Sequence, residues 1–164
     1  MPDVAPITLT SSQGSKLKFS AVHGREEMAR LFEYDVVALA ESDEKIELEA
    51  MLGTGASVDI ELPDGSQRHL HGIVAAAGLD GTSGRLVAYR FTLRPWLWLL
   101  TRRSDTRIFQ KMTVVDIIKK VFENYAAEVS YELRGNYPQY EYCVQYRETD
   151  FNFVSRLMED EGTY

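Results

Sequence analysis

Apolar and polar residues alternate through much of the first hundred residues, and this period of two limits the possible folds more than any other feature. Residues 58–62 read Val-Asp-Ile-Glu-Leu, the pattern of a strand that buries one face. The sequence Pro-Asp-Gly-Ser at 63–66 follows directly and predicts a chain reversal, since Pro fixes φ and Gly accepts positive φ. By the same reasoning six strands are predicted, at residues 7–10, 17–22, 31–39, 58–62, 68–77 and 87–94.

Short strands separated by turns predict an antiparallel, tube-like β-barrel, with a sandwich as the alternative. The polar cluster at 11–15 indicates that the first two strands form a hairpin, and the cluster at 80–84 indicates a turn before the last strand. A short helix at residues 46–52, ending before Gly53, is expected to cover one open end of the barrel. We therefore assign residues 1–100 to this antiparallel β-barrel domain.

After Pro95 a helical spacing replaces the alternation. Thr113 stands where an N-terminal cap belongs, and Asp116 follows three residues later, as in a capping box. The apolar stripe of an amphipathic helix follows, at residues 114, 117, 118, 121, 122 and 125. This part of the chain is therefore expected to be partly helical.

The remaining residues predict two strands and a second helix. Residues 131–134 and 140–145 are expected to pair as strands, and a helix from residue 149 or 150 to Glu161 ends before Gly162. The apolar face of that helix is predicted to consist of Phe151, Val154 and Met158. The predicted fold is thus mainly β, with a barrel followed by a small α/β piece. This piece, residues 101–164, is an α+β segment that we expect to be truncated at its C-terminus.

The charge balance and the cysteine count exclude several classes of function. Lys and Arg number 18 against 25 Asp and Glu, so the net charge is −7, which disfavours binding to nucleic acid. Cys143 is the single cysteine and cannot form an internal disulfide. No stretch reaches the roughly 18 apolar residues of a membrane-spanning helix, and the N-terminus lacks the regions of a signal peptide. We expect synthesis in the cytoplasm, without classical secretion.

Three polar clusters contain residue types found in functional sites, but each also has a structural explanation. His69 and His71 face one side of a strand, yet two ligands are too few for zinc, and His23 is the only other histidine. A pair of carboxylates can catalyse glycoside hydrolysis, and acidic residues occupy positions 159–161. However, consecutive helix residues point about 100° apart, so these side chains are not expected to converge on one bond. The stretch 94–103 interleaves tryptophans with arginines as nucleic-acid binders do, although burial of the tryptophans explains it equally.

We therefore expect no catalytic residue, no cofactor and no metal site. The residues expected to matter are instead apolar contacts. Trp96, Trp98 and Leu99 come directly after the last predicted strand and are candidate anchors between the two domains. Candidate interface anchors near the C-terminus are Phe151, Val154, Met158 and Tyr164.

Several of these segments together resemble one protein family. Residues 89–100, Tyr-Arg-Phe-Thr-Leu-Arg-Pro-Trp-Leu-Trp-Leu-Leu, resemble a stretch of the VgrG proteins, the spikes of bacterial type VI secretion systems. The longest similar segment is 140–151, Tyr-Glu-Tyr-Cys-Val-Gln-Tyr-Arg-Glu-Thr-Asp-Phe, and it continues through 153–162. Residues 108–118 fit the same family, and the resemblance extends over nearly the whole chain.

This resemblance implies a structural role. The N-terminal region of such spikes is similar to the tail hub of contractile phages, forms a homotrimer and sits on the hexameric Hcp tube ring. The chain would dock the spike on the tube, adapt the tube symmetry to a trimeric needle and contact other baseplate components, with effector cargo as a further possible partner. It would be cytoplasmic during assembly and then pass through the apparatus to the extracellular space or a target cell.

Two other functions remain open at this point. One is a cell-wall lytic enzyme, since phage hubs can carry such an activity and carboxylate pairs occur in this chain. The other is a stand-alone effector-binding module, which would bind a cargo protein as a stable monomer.

Overall fold

The computed structural model describes residues 6–163, and the chain forms two compact units that divide between Pro95 and Trp96. Residues 96–100, which the sequence analysis assigns to the barrel domain, lie in the second unit. There Leu100 is fully buried in that unit's own hydrophobic core. Each unit is described below by itself.

A six-stranded antiparallel sheet makes up most of the first unit, and its hydrogen-bonded order is β1-β4-β5-β6-β3-β2. Its strands are β1 (Ile7–Thr10), β2 (Lys18–Arg25), β3 (Glu33–Glu41), β4 (Gly55–Glu61), β5 (Gln67–Ser83) and β6 (Leu86–Arg94). A 3-10 turn, Gly14–Lys16, and the one-turn helix α1, Leu48–Met51, complete this unit. The sheet is curled, and its inner face supplies the core around Val36, Val58 and Phe91. The predicted fold class, mainly antiparallel β with some helix, is confirmed.

The expected hairpin between the first two strands is wrong. β1 pairs with β4, with Leu9 opposite Val58, and β2 pairs with β3. The segment between β1 and β2 contacts the chain just before α1 instead, where the Glu47 backbone N–H donates to Gln13 Oε1 at 3.2 Å. These residues therefore cross from one edge of the sheet to the other.

Strand β5 is longer than predicted and explains how the sheet curls. Residues 67–73 pair with β4, whereas residues 73–83 pair with β6, with bulges between Val74 and Ala76 and between Leu79 and Gly81. The predicted turn at 80–84 is therefore wrong for its first residues, which continue the strand. Bulges bend a strand and increase its twist, so these two bulges help β5 to curve from its pairing with β4 to its pairing with β6.

The second unit contains a 3-10 helix, Trp96–Arg102, four strands and two α-helices. The strands are β7 (Ser104–Phe109), β8 (Met112–Thr113), β9 (Gln139–Tyr140) and β10 (Cys143–Thr149), and the helices are α2 (Val114–Phe122) and α3 (Asp150–Asp160). β7 pairs with β10, and β8 pairs with β9, both antiparallel. The predicted cap of α2 is confirmed, since the Asp116 N–H donates to Thr113 Oγ1 at 3.2 Å.

The expected pairing of residues 131–134 with residues 140–145 is wrong. Residues 131–134 form no strand, and Tyr131 and Leu133 are exposed instead of packing in the core of the unit. β10 takes β7 as its partner instead, with Cys143 opposite Phe109.

The inward face of α3 also differs from the expected one. Its fully buried apolar residues are Phe153 and Leu157, joined by Val154, while Phe151 and Met158 are half-buried. The Phe153 ring stacks on the Phe109 ring at 5.6 Å between centroids. Of the helices in residues 6–163, none has the length and apolar character needed to cross a bilayer.

Candidate functional site

A buried carboxylate, Asp150, is the centre of a polar cluster in the second unit. It is the first residue of α3 and is fully buried. Its Oδ1 accepts hydrogen bonds from Gln145 Nε2 at 2.8 Å and from the Arg107 guanidinium, and its Oδ2 accepts one from the Tyr125 hydroxyl at 2.7 Å. Arg107 Nε also donates to Gln145 Oε1 at 2.9 Å. We call these four residues the Asp150 cluster.

The Asp150 carboxylate is buried and is held by side chains of its own unit. Burying a charge is costly unless it is paired and hydrogen-bonded, and here three side chains supply donors. Burial, followed by the hydrogen bond to Asp150, raises the pKa of Tyr125 to about 12. The cluster joins β7, β10, the chain after α2 and the start of α3.

Sequence reasoning missed this cluster, although a signal for it was present. Gln145 and Asp150 fall within residues 140–151, the longest segment that resembles the VgrG family. Arg107 lies on the same side of β7 as buried Phe109, where an apolar residue is the usual choice. An arginine at an inward position predicts a buried partner, but it does not say which of the acidic residues that partner is.

The predicted junction residues lie in the short 3-10 helix of the second unit. The Trp96 ring packs edge-on against Phe122, with centroids 5.0 Å apart and an angle of 84° between the planes. The Arg102 guanidinium lies 5.5 Å from the centre of the Trp98 ring, and Trp98 and Leu99 are both half-buried. A role for these residues between the two domains stays a prediction.

The predicted C-terminal anchors have different environments. Val154 is buried in the core of the second unit, whereas Phe151 and Met158 are half-buried at its margin. Tyr164 lies outside the described residues. Their part in an interface with another molecule is not tested by this geometry and stays a prediction.

The histidines considered as metal ligands make an ordinary surface contact. His69 Nδ1 lies 2.7 Å from Asp59 Oδ1, the residue opposite it on β4, and His71 is exposed. Within residues 6–163, no set of three or more His, Cys, Asp or Glu side chains is arranged to hold a metal ion.

The acidic residues at the end of α3 have different environments. The Tyr140 hydroxyl donates to Glu161 Oε1 at 2.5 Å, and this bond, more than burial, raises the pKa of Tyr140 to about 12. Glu159 and Asp160 are exposed.

Cys143, the single cysteine, is buried. This burial raises the pKa of its thiol, so the reactive thiolate forms less readily.

A second polar cluster lies at one mouth of the curled sheet. Glu26, just after β2, accepts hydrogen bonds from the Tyr34 hydroxyl and from Arg68 Nη2, the latter at 3.1 Å. Burial, followed by this bond to Glu26, raises the pKa of Tyr34 to about 12. The three residues border a cavity of about 420 Å³, whose apolar lining includes Val22, Ile60 and Leu70.

One surface of the second unit carries exposed apolar side chains. Ile108 on β7 and Tyr146 on β10 are 58% and 64% exposed, and half-buried Val144 lies opposite Ile108 in the strand register. Because side chains alternate along a strand, these residues share the face opposite to buried Phe109. Exposed apolar surface of this kind often marks a contact with another protein.

Comparison with known proteins places these features in a family. The model of the phage tail baseplate hub (GPD) matches residues 25–164. The type VI secretion system spike proteins VgrG1b and VgrG1c of Pseudomonas aeruginosa are each 50% identical over 149 residues, which is 90% of this chain and 20% of theirs. The chain thus spans about a fifth of the length of these curated relatives.

Solved structures show the same fold. The E. coli c3393 protein, described as a type VI component similar to the T4 phage tail proteins gp27 and gp5, matches with a TM-score of 0.76 and 28% identity, over 92% of this chain and 42% of that one. The 43 kDa tail protein of prophage MuSo2 from Shewanella oneidensis shares the fold alone, with a TM-score of 0.67 and 18% identity, over 96% of this chain and 49% of that one. The resemblance to VgrG spike proteins is confirmed, and because the hub model matches most of its residues, the chain belongs to the phage tail baseplate hub family.

Proposed function

We propose that this chain is a structural component of the type VI secretion spike hub, which docks the spike on the Hcp tube and adapts the tube symmetry to a trimeric needle for effector delivery. The observation that carries the proposal is the 50% identity to the spike protein VgrG1b over 90% of this chain. The likeness to the c3393 type VI component supports it independently. In this proposal the chain works as a homotrimer, in contact with other baseplate components and with effector cargo.

The described side chains support an assembly role over a catalytic one. The Asp150 cluster is buried and held by internal partners, and exposed surface such as Ile108 and Tyr146 is suited to contacts between proteins. One relative, the actin cross-linking toxin VgrG1 of Vibrio cholerae, is named for an activity; it matches over 80% of this chain, which is 12% of its own length. We infer that the matched region is scaffold.

The proposed role has a consequence for location. As part of the spike, the chain assembles in the cytoplasm and then leaves the cell through the secretion apparatus, to the extracellular space or a target cell. Detection of the chain in the culture medium, dependent on a working apparatus, tests this part of the proposal.

The solution mass of the chain, measured by light scattering alone and with assembled Hcp rings, tests the docking. We expect a mixed species heavier than either component, because the proposed function requires direct contact. A β-rich protein of similar mass and charge, mixed with the same rings, is the control for nonspecific adsorption. Two unchanged species at about 10 µM of each component, a concentration at which a micromolar complex forms, would contradict docking by this chain.

The lytic alternative has its own test. If Glu159 and Glu161 formed a catalytic pair, incubation with purified peptidoglycan would release soluble fragments, and Glu159→Gln or Glu161→Gln would abolish that release. We expect no release from any of the three proteins, because the Tyr140 hydroxyl donates a hydrogen bond to Glu161 and Glu159 is exposed to solvent.

A further inference from the structure

The first unit has a seam, because its sheet does not close through backbone hydrogen bonds. β1 and β2 are the two end strands of the sheet, and among residues 6–163 no ladder joins them. β1 is only four residues long, whereas β2 has eight.

Glu26 connects two sides of the mouth of this open sheet. On one side it accepts from the Tyr34 hydroxyl of β3, the neighbour of β2; on the other it accepts from Arg68 of β5, which lies opposite Ile60 of β4. Glu26 and Arg68 are 42 residues apart in sequence, so this contact joins distant parts of the sheet.

The Tyr34 ring is itself held in place. It lies over Gly24 on the adjacent strand, where an added Cβ would overlap ring atom Cδ1, and it stacks on Phe32 at 4.7 Å between centroids. The Tyr34 hydroxyl is thus a fixed partner for Glu26. Arg68, in contrast, has a side chain that is 56% exposed and is free to move into solvent once the pair is broken.

We propose that Glu26 is a latch that holds the mouth of this unclosed, curled sheet together. When the Glu26–Arg68 pair breaks, the end of β2 and β3 separates from the end of β4 and β5. The cavity of about 420 Å³ that the pair borders, which is already open to solvent, then widens. The pair is solvent-exposed, so the latch is weak and sensitive to salt.

Amide hydrogen exchange on the intact chain, with Glu26→Gln and a matched control, tests this proposal. The control is Glu27→Gln, which removes the next carboxylate and its ion pairs with Arg25, the last residue of β2, and with Arg30 in the following loop. We expect Glu26→Gln to speed exchange about two- to fivefold for amides at 22–25 and 60–70, the size expected for one exposed ion pair. Glu27→Gln leaves these amides unchanged.

Salt provides a second measurement that does not depend on a variant. Raising the salt from about 0.1 M to about 1 M shortens the Debye length from about 10 Å to about 3 Å. In the native chain this increase speeds the same amides, while in Glu26→Gln it has no further effect. Equal exchange in the Glu26→Gln and Glu27→Gln variants, or a native chain insensitive to salt at these amides, would overturn the latch.

Discussion

Asp150 is the residue on which the second unit depends most. Its carboxylate is fully buried at the first position of α3, where the helix dipole also favours a negative charge. Three side chains from separate segments donate to it, and its own N–H donates to the Arg103 carbonyl at 3.0 Å. Several elements are therefore positioned by one side chain.

Asp150→Asn tests this dependence, because it keeps the size of the side chain and removes its charge. We expect a loss of about 3 kcal/mol in the free energy of unfolding, the lower end of the range for a broken buried pair, since Arg107 retains some access to water. Asp105→Asn is the control: this carboxylate also lies near Arg107, at 3.4 Å, but is partly exposed, and should cost less than about 1 kcal/mol. Urea unfolding measures both, and equal losses would contradict the special role of Asp150.

The hydroxyl of Tyr125 predicts a dependence on alkaline pH. Its pKa in the folded chain is about 12, raised by burial and by Asp150 from an unfolded value near 10, so the folded state holds this proton more strongly. The resulting stability is complete below about pH 10 and is lost as the pH rises through about 12. Urea unfolding at several alkaline pH values should show a smaller decline for Tyr125→Phe than for the native chain. Parallel declines would show that Tyr125 does not contribute.

At the scale of the elements, strand β5 does most to shape the first unit. It leaves β4 and joins β6 near Ile73, and Gly72 lies next to this point. A Cβ at Gly72 would lie 2.7 Å from the Arg94 carbonyl oxygen, so this approach of β5 to β6 requires a residue without a side chain. The curl of the sheet depends on that approach.

Gly72→Ala should therefore destabilise the chain by about 1–3 kcal/mol, the usual cost of forcing extra atoms into a packed site. Gly78→Ala in the same strand is the control, since a Cβ there meets nothing within 4 Å and the backbone accepts alanine. Thermal unfolding compares the two. A Gly72→Ala variant as stable as Gly78→Ala would show that the sheet accommodates the added atoms.

At the scale of the whole molecule, the chain has two units with separate cores and belongs to the phage tail baseplate hub family. The β7–β10 face of the second unit exposes Ile108 and Tyr146, which suits a contact with another protein. Exposed apolar side chains add little to the stability of an isolated chain. A substitution there can therefore weaken association with another protein without changing the free energy of unfolding.

Tyr146→Ser is expected to change the free energy of unfolding by less than about 0.5 kcal/mol, as at most surface positions. In the assembly proposed above for this chain, the same change should weaken association, because an aromatic side chain that is buried at an interface often contributes about 2 kcal/mol or more. Sedimentation of the assembled complex measures the effect, and Leu79→Ser, at an exposed site on the first unit, is the control. Unchanged association would place Tyr146 outside the interface.

The sequence by itself determined the local elements of this protein. Alternation at 58–62 and 87–94 predicted strands that the structure contains as β4 and β6, and Thr113 with Asp116 predicted the start of α2. The resemblance of residues 140–151 predicted the family to which the chain belongs. These features depend on neighbours a few positions apart, and such neighbours are visible in a pattern.

Only the tertiary structure decided which elements meet. β1 pairs with β4 instead of β2, β10 pairs with β7, and α3 buries Phe153 and Leu157 where Phe151 and Met158 were expected. The partnership of Arg107 with Asp150 spans 43 residues, and the sequence offers many other carboxylates. Such choices depend on the summed burial and pairing of distant surfaces, and local propensity is too weak to specify them.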